Sequence, residues 1–229
     1  MKINFNNLQM VMKTGTILNN TVFEGNCMNV LKYIPDNSVD AVLSDIPHGM
    51  GLYEWDIPLD LPKYWTELNR ITKPKGVMVF TASQPYSSVM VCSNPKYFRY
   101  EYVWIMGMSS HHLDLNWRPM KKHEHVLVFC QEKMPFYNVI KSVDDKFPTT
   151  ILDGFQREVG KHVAQKPVKL FKHLIETFTP VGGLVLDTCA GCCPTAFAAI
   201  ESKRNFIVME LLSEYARPAY KKLKETYGQ

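Results

Sequence analysis

The 229-residue sequence lacks several features that would assign it to a membrane or secreted class of protein. No stretch approaches the ~20 consecutive apolar residues of a transmembrane helix, so no membrane span is expected. The first fifteen residues lack the apolar core of a secretory signal peptide. The six cysteines are too irregularly spaced for a disulfide framework, which favours a reducing, cytoplasmic location. Internal repeats, low-complexity tracts and linkers are also missing, and a single domain is therefore expected.

A strong charge of either sign is missing as well. The formal net charge is +4 and the pI is about 8.6. This mildly basic balance permits a polyanionic partner such as nucleic acid without requiring one. Hydrophobic residues make up 46% of the chain, enough for one well-buried core.

Short apolar runs alternate with helical patterns along the chain. This alternation predicts βαβ units and an α/β fold, with a doubly wound, mostly parallel, Rossmann-like sheet covered by helices on both faces. Residues 107–122 and 133–163 fit neither period, and irregular inserts are expected there. The strands are predicted at 21–24, 39–44, 77–80, 100–104, 125–130, 183–186 and 205–210, and the helices at 61–71, 84–92, 167–178, 195–202 and 212–226.

A strand, a turn and a helix follow one another near the C-terminal end, in "GLVLDTCAGCCPTAF". The strand ends at Asp187, and the start of the next helix offers free backbone N–H groups. Glu210 ends the following strand, close to the ~20-residue separation at which an acid hydrogen-bonds the ribose of a bound nucleoside. The pattern is equally compatible with an ordinary βαβ unit that exposes an acid.

A second strand-end motif is "VDAVLSDIPHGMG", residues 39–51. Asp45 stands at the strand tip, where a carboxylate can accept a proton from a substrate N–H. Pro47 restricts Ile46 to an extended shape, which fixes the direction of its carbonyl. His48 supplies a flat ring that can stack on a base. An ordinary strand-to-loop turn would also contain Asp and Pro.

In this order, the two motifs resemble those of the amino-group DNA methyltransferases in which the catalytic motif precedes the cofactor motif. Residues 45–48, Asp-Ile-Pro-His, are similar to the family's Asp-Pro-Pro-Tyr, and residues 187–194, DTCAGCCP, to its Asp-Pro-Phe-x-Gly-Ser-Gly-Thr. Further similar segments cover most of the chain, among them "FEGNCMNVLKYIPDNSVDAVLSD" and "AQKPVKLFKHLIETFTPVGGLVLD". The resemblance implies a single methyltransferase domain over residues 1–229.

The resemblance also implies a cofactor, a substrate and a set of site residues. The cofactor is S-adenosylmethionine, whose sulfonium is electrophilic enough that no metal is needed, and the substrate is an amino group of a base flipped out of double-stranded DNA. Asp45 and the Ile46 carbonyl accept the amino N–H bonds, Pro47 completes the motif and His48 stacks on the base. An Asp at the first position favours adenine N6 over cytosine N4. Relatives often dimerise, so a homodimer or heterodimer is compatible with the sequence. The cofactor residues are Asn26, where an Asp is usual, Lys166, at the methionine end, and Asp187, Cys189, Gly191, Cys193 and Glu210.

The turn departs from the family pattern at its glycines. If the position of Cys193 needs a positive φ, a β-carbon there costs about 1–2 kcal/mol, and its side chain is expected to point toward the ligand. Pro194 is acceptable at the first helical position.

Three hypotheses follow: an active adenine methyltransferase, a cofactor-impaired DNA- or partner-binding module, and a methyltransferase of RNA or small molecules. Zinc binding or redox switching by the clustered cysteines is a weaker alternative, because a structural zinc site needs a fourth ligand.

A basic segment with an aromatic residue lies within the first irregular insert. Trp117, Arg118, Lys121 and Lys122 combine cations with a ring, which suits phosphate contacts and stacking on an unpaired base. Residues 107–122 and 133–163 are therefore the predicted DNA-recognition region. A solvated surface loop would have the same composition.

Overall fold

The computed structural model describes residues 2–51, 56–110, 115–156 and 166–228, with the backbone alone at residues 108–110. In these ranges the chain forms a nine-stranded sheet and six α-helices. The strands are β1 (Asn4–Asn7), β2 (Thr21–Glu24), β3 (Val39–Ser44), β4 (Thr72–Ala82), β5 (Phe98–Ser110), β6 (Lys121–Cys130), β7 (Ile151–Leu152), β8 (Leu184–Asp187) and β9 (Asn205–Glu210). The helices are α1 (Leu8–Thr14), α2 (Leu61–Ile71), α3 (Tyr86–Ser93), α4 (Val168–Phe178), α5 (Pro194–Glu201) and α6 (Ser213–Tyr227).

The strand order in the sheet is β1-β2-β9-β8-β3-β4-β6-β5-β7. Neighbouring strands are parallel, except that β6 runs antiparallel to both β4 and β5. The prediction of a mostly parallel, doubly wound sheet is confirmed. Ala82, which ends β4, pairs with His125 near the start of β6. The first residues of β6 therefore lie at the edge where the parallel strands end.

Helices cover both faces of the sheet. Because successive side chains of a strand point to opposite faces, each strand contributes residues to two separate hydrophobic cores. On β3, Leu43 packs in a core with buried residues of α4, α5 and α6, and Val42 packs in a core with α1, α2 and α3. Val79 and Phe80 divide in the same way on β4. None of the helices in the described part of the chain is long and apolar enough to cross a membrane.

The sequence pattern predicts most elements and misses the short ones. β2, β3, β9 and α2 have the predicted bounds, and the other predicted strands and helices are present with shifted or extended ends. β1, α1 and β7 are not predicted. β1 has a single apolar residue, β7 has only two residues, and the four apolar residues of α1 lie within only seven positions, about two helical turns. Only Val11 of α1 is buried.

The prediction of an irregular insert at 107–122 is wrong at both ends of that segment. Residues 107–110 continue β5, residues 121 and 122 begin β6, and Ser110 pairs with Lys121. The apolar pattern of the sequence does not reveal the start of β6, because Lys122 and His123 are polar and exposed. In the second predicted insert, residues 133–156 are irregular apart from β7, which pairs with β5, and residues 157–163 lie outside the described residues.

Candidate active site

A cavity of about 540 Å³ opens where β3, β8 and β9 end. Ligands bind at this edge in open α/β sheets, and the volume is typical of a small-molecule site. Every predicted catalytic and cofactor residue except Cys193 lines this cavity. They are Asn26, Asp45, Ile46, Pro47, His48, Lys166, Asp187, Cys189, Gly191 and Glu210.

Asp45 directly follows β3 and turns its carboxylate toward the cavity, with 26% of the side chain exposed. Its Oδ1 accepts a hydrogen bond from the hydroxyl of Thr81, near the end of β4. Its Oδ2 lies 2.7 Å from the ammonium of Lys166. Since a carboxylate offers about four acceptor positions, these two contacts orient Asp45 and still leave room for a substrate donor.

Glu124 is a second carboxylate on the cavity wall. Its side chain is 8% exposed, and its Oε2 lies 3.3 Å from the Lys166 ammonium. Reasoning from strand ends misses Glu124 because it stands near the start of β6, the strand that runs antiparallel to its neighbours. The signal that could have identified it is a lone acid in a basic context at the start of an apolar strand, in "KKHEHVLVF".

The loop after Asp45 is held by a carboxylate that the sequence reasoning also misses. Asp56 accepts hydrogen bonds from four successive backbone N–H groups, those of residues 48–51, at 2.6–3.2 Å. Gly49 and Gly51 both have φ of 69°, a conformation that favours glycine. Asp56 therefore fixes the shape of the loop that carries His48.

The ring of His48 stacks on the ring of Tyr86 in α3, with centroids 4.6 Å apart and planes inclined by 25°. Among the described residues, His48 Nε2 and the Tyr86 hydroxyl are buried without a hydrogen-bond partner. Burial raises the pKa of Tyr86 to about 12. Tyr86 thus supports one face of the histidine ring, a contact that the motif alone does not reveal.

Asp187 ends β8 and is almost completely buried, with 1% of its surface exposed. Its carboxylate accepts hydrogen bonds from the Ser44 hydroxyl at 2.8 Å, from the Cys189 backbone N–H at 3.1 Å and from the Thr195 hydroxyl. Burial outweighs these donors and raises the pKa of Asp187 to about 7. Asp187 therefore ties the end of β3, the turn and α5 together beneath the cavity.

Glu210 ends β9 and lines the cavity while remaining 8% exposed. Its two carboxylate oxygens accept hydrogen bonds from the N–H groups of Gly191, at 2.7 Å, and Leu212, at 2.9 Å. Burial raises its pKa. Gly191 has φ of 51°, and a β-carbon built there would meet no described atom within 4 Å. Glu210 retains acceptor positions, so the turn holds an acid beside open space.

Cys193 has the positive φ that its position predicts, 59°, and caps α5 ahead of Pro194. The expectation that its side chain points toward a ligand is wrong. Cys193 is completely buried in the core between the sheet and α4–α6, and its thiol lies 3.7 Å from the Gly191 carbonyl. The turn therefore carries the strain of a β-carbon without losing space in the cavity.

The other thiols of this region do not form a metal site in the described residues. Cys189 hydrogen-bonds to Cys27 on the cavity wall, which lowers the pKa of Cys27 and raises that of Cys189. No group of three or more His, Cys, Asp and Glu side chains in the described ranges is arranged to hold a metal ion.

The four predicted DNA-contact residues lie outside the cavity and differ in their surroundings. Trp117 is 70% exposed, and the Arg118 guanidinium lies over its ring at 4.5 Å. Lys122 is exposed. Lys121 instead hydrogen-bonds to the Ser83 hydroxyl and lies 3.5 Å from Glu124 Oε1. Lys121 is therefore engaged within the protein, whereas Trp117 and Lys122 are exposed.

Comparison with known proteins places this geometry in a family. The family model described as DNA methylase, for N6 and N4 methyltransferases, matches residues 39–222. The chain is 26% identical over 244 residues to the DNA adenine methyltransferase YhdJ of Escherichia coli (strain K12), in an alignment that covers 89% of this chain and 82% of that protein.

Two solved structures share the fold. The PvuII DNA methyltransferase, described as cytosine-N4-specific, matches with a TM-score of 0.71 and 19% identity over 93% of this chain and 92% of that one. The M1.HpyAVI–SAM complex matches with a TM-score of 0.70 and 22% identity over 87% of this chain and 98% of that one. The chain belongs to the N6/N4 DNA methylase family, whose members transfer a methyl group from S-adenosylmethionine to a DNA amino group.

Proposed function

We propose that this protein is an active, site-specific DNA methyltransferase whose target is the N6 amino group of adenine. The observation that carries the proposal is the position of Asp45: a partly exposed carboxylate, oriented by Thr81 and Lys166, in the cavity that Glu210 also lines. Acceptor and cofactor residues thus share one site. The YhdJ relative, described as an adenine methyltransferase, and the Asp at the first motif position both favour adenine.

The proposed chemistry uses Asp45 to activate a weak nucleophile. The lone pair of an exocyclic amino nitrogen is delocalised into the base. When Asp45 and the Ile46 carbonyl accept hydrogen bonds from the two N–H groups of the amino nitrogen, a tetrahedral geometry with a free lone pair is favoured at that nitrogen. Acceptors fixed before the reaction stabilise the charge that develops on that nitrogen.

The donor set of the cavity fits S-adenosylmethionine. When bound, this cofactor supplies a methyl group on a sulfonium. Glu210 offers acceptor positions for the ribose hydroxyls beside the open space at Gly191. Asn26 and Cys189 line the same cavity and complete the proposed cofactor contacts, whereas the Lys166 ammonium is directed to Asp45 and Glu124.

The DNA-facing part of the proposal rests on one ring that lines the cavity and on aromatic and basic groups outside it. His48, supported from behind by Tyr86, stacks on the flipped base. Trp117 with Arg118, and Lys122, contact the duplex beside it. Base–aromatic stacking contributes about 1–3 kcal/mol per base.

Replacing Asp45 by Ala tests the proposal. Methyl transfer from radiolabelled S-adenosylmethionine to unmethylated duplex DNA is expected to be abolished, while cofactor and DNA affinities stay within about threefold. Glu124 continues to pair with Lys166 in this variant, so the fold is expected to be retained. Glu225→Gln removes a carboxylate of α6 that is 64% exposed and lies outside the predicted DNA-recognition region, and it serves as the control. Transfer by Asp45→Ala at a rate near that of the wild type would remove Asp45 from the mechanism.

A further inference from the structure

Charged side chains of alternating sign form a line from β6 to Asp45. Lys121 Nζ lies 3.5 Å from Glu124 Oε1, and Glu124 Oε2 lies 3.3 Å from Lys166 Nζ. Lys166 Nζ is in turn 2.7 Å from Asp45 Oδ2. The Lys166 ammonium therefore contacts two carboxylates, and one of them is the proposed acceptor of the amino proton.

The inner members of this line are the most buried. Lys166 and Glu124 are each 8% exposed at the side chain, against 25% for Lys121 and 26% for Asp45. A buried ammonium needs carboxylate partners, because desolvation penalises an uncompensated charge. Glu124 supplies one carboxylate partner from inside the protein, and Asp45 supplies another from the cavity surface.

Glu124 is also rigidly mounted. Its strand lies between two others: Glu124 pairs with Trp104 of β5, and the next residue, His125, pairs with Ala82 of β4. Asp45, by contrast, begins a loop. Groups on strands hold a geometry more accurately than groups on loops, so Glu124 can serve as the fixed reference for the Lys166 ammonium.

Neutralising Glu124 would alter the interaction between Lys166 and Asp45. Without the negative charge of Glu124, the Lys166 ammonium is drawn more strongly to Asp45. A carboxylate oxygen held more tightly by an ammonium is a poorer acceptor for a substrate N–H and is turned away from its working orientation. The hydrogen bond between Glu210 and Gly191 on the cofactor side does not involve this line.

We propose that Glu124 is a positioning residue for methyl transfer, which acts through Lys166 to set the orientation and acceptor strength of Asp45. The inference rests on the proposed function and adds to it a residue that acts through Lys166 rather than directly on the base or the methyl group. Its signature is a change in the transfer step with little change in binding.

The test is Glu124→Gln, which keeps the side-chain shape and removes the charge. We expect kcat to fall by about 10- to 100-fold, the range for a small misplacement of a reacting group. The KM for duplex DNA and the calorimetric Kd for S-adenosylmethionine are expected to stay within about threefold. Glu101→Gln, an exposed position on β5 with the same change of charge, is the control and is expected to retain wild-type kcat.

A structural readout separates positioning from general damage. In crystals of Glu124→Gln, the Lys166 ammonium is expected to move toward Asp45 and the Asp45 carboxylate to rotate. Wild-type positions for both groups, a kcat within about twofold of wild type, or an effect confined to KM would overturn the inference.

Two further outcomes are also decisive. If Glu124→Gln does not fold, Glu124→Asp decides, because it keeps the charge but withdraws it by one methylene. A kcat lowered several-fold at unchanged KM supports positioning, and a wild-type kcat overturns it. Wild-type protein without methyl transfer would overturn the proposed function and the inference together, whereas an active wild type with an unimpaired Glu124→Gln overturns the inference alone.

Discussion

Two aspartates stand at the ends of neighbouring parallel strands and differ in what surrounds them. Asp45, after β3, is partly exposed to the cavity and contacts a lysine and a threonine. Asp187, at the end of β8, is buried and accepts hydrogen bonds from two hydroxyls and a backbone N–H. The carboxylate of Asp45 is available to a ligand, whereas that of Asp187 holds neighbouring elements together beneath the cavity. The position of an aspartate at a strand end therefore does not determine whether its carboxylate is available to a ligand or stabilises the fold.

The difference follows from the side of the strand end that each residue faces. Asp187 is the last residue of β8, and the Ser44 hydroxyl at the end of β3 donates a hydrogen bond to it. Asp45 is the next residue after Ser44, so its side chain faces the other way, toward Lys166 and the cavity. The loop that begins at Asp45 thus directly follows Ser44, whose hydroxyl donates a hydrogen bond to Asp187.

The largest expected effect concerns the buried member of the pair. Because the pKa of Asp187 is about 7 in the folded protein and 3.8 ordinarily, the folded state keeps a proton that the unfolded chain releases between these values. The contribution of this proton to the free energy of unfolding is complete below about pH 4. It decreases by up to about 1.4 kcal/mol per pH unit between about pH 4 and pH 7, and it is lost above about pH 7. Asp187→Asn, neutral at every pH, is expected to gain in stability relative to the wild type over this window.

Denaturant unfolding of both proteins between about pH 5 and pH 8 measures this difference. Asp144→Asn controls for the removal of one negative charge, since Asp144 is exposed. Parallel stability profiles for Asp187→Asn and wild type would mean that Asp187 is ionised in the folded protein and that burial does not raise its pKa.

Glu210 combines properties of the two aspartates: it is buried and accepts backbone hydrogen bonds, as Asp187 does, but 8% of its surface remains exposed at the cavity, against 1% for Asp187. Glu210→Ala is expected to weaken S-adenosylmethionine binding by about 1.5–3 kcal/mol, the range for hydrogen bonds to a charged group. Isothermal titration calorimetry measures the change. Glu210→Gln, which keeps an oxygen for a backbone N–H, controls for damage to the turn. An unchanged Kd in Glu210→Ala would place the ribose elsewhere.

The smallest effect is expected at Cys193. Glycine there would relieve about 1–2 kcal/mol of backbone strain but would also remove a buried thiol from the core. Because the side chain does not line the cavity, Cys193→Gly is expected to change cofactor affinity by less than about threefold. Cys193→Ala keeps the β-carbon and isolates the effect of removing the thiol. A roughly tenfold gain in affinity for the glycine variant alone would show that the strained turn does limit the site.

The sequence predicts what depends on local patterns and misses what depends on tertiary pairing. Strands β2 and β3 match because their apolar runs are bounded by turn residues, and the φ of Cys193 follows from a glycine position in the family motif. The direction of its side chain does not follow, since it depends on how α5 packs. Glu124 is missed because its place at the cavity depends on the antiparallel direction of β6. Asp56 and Tyr86 are missed because each contacts the loop after β3 from another part of the chain. Asp56 accepts hydrogen bonds from the loop backbone, and Tyr86 stacks on His48.

The identity of the methylated product tests the central claim most directly. Wild-type protein is incubated with methyl-labelled S-adenosylmethionine and unmethylated duplex DNA, and the DNA is digested to nucleosides and separated. An adenine-N6 methyltransferase places the label in N6-methyldeoxyadenosine. Label in N4-methyldeoxycytidine would contradict the assignment to adenine, and DNA without label would contradict a working active site.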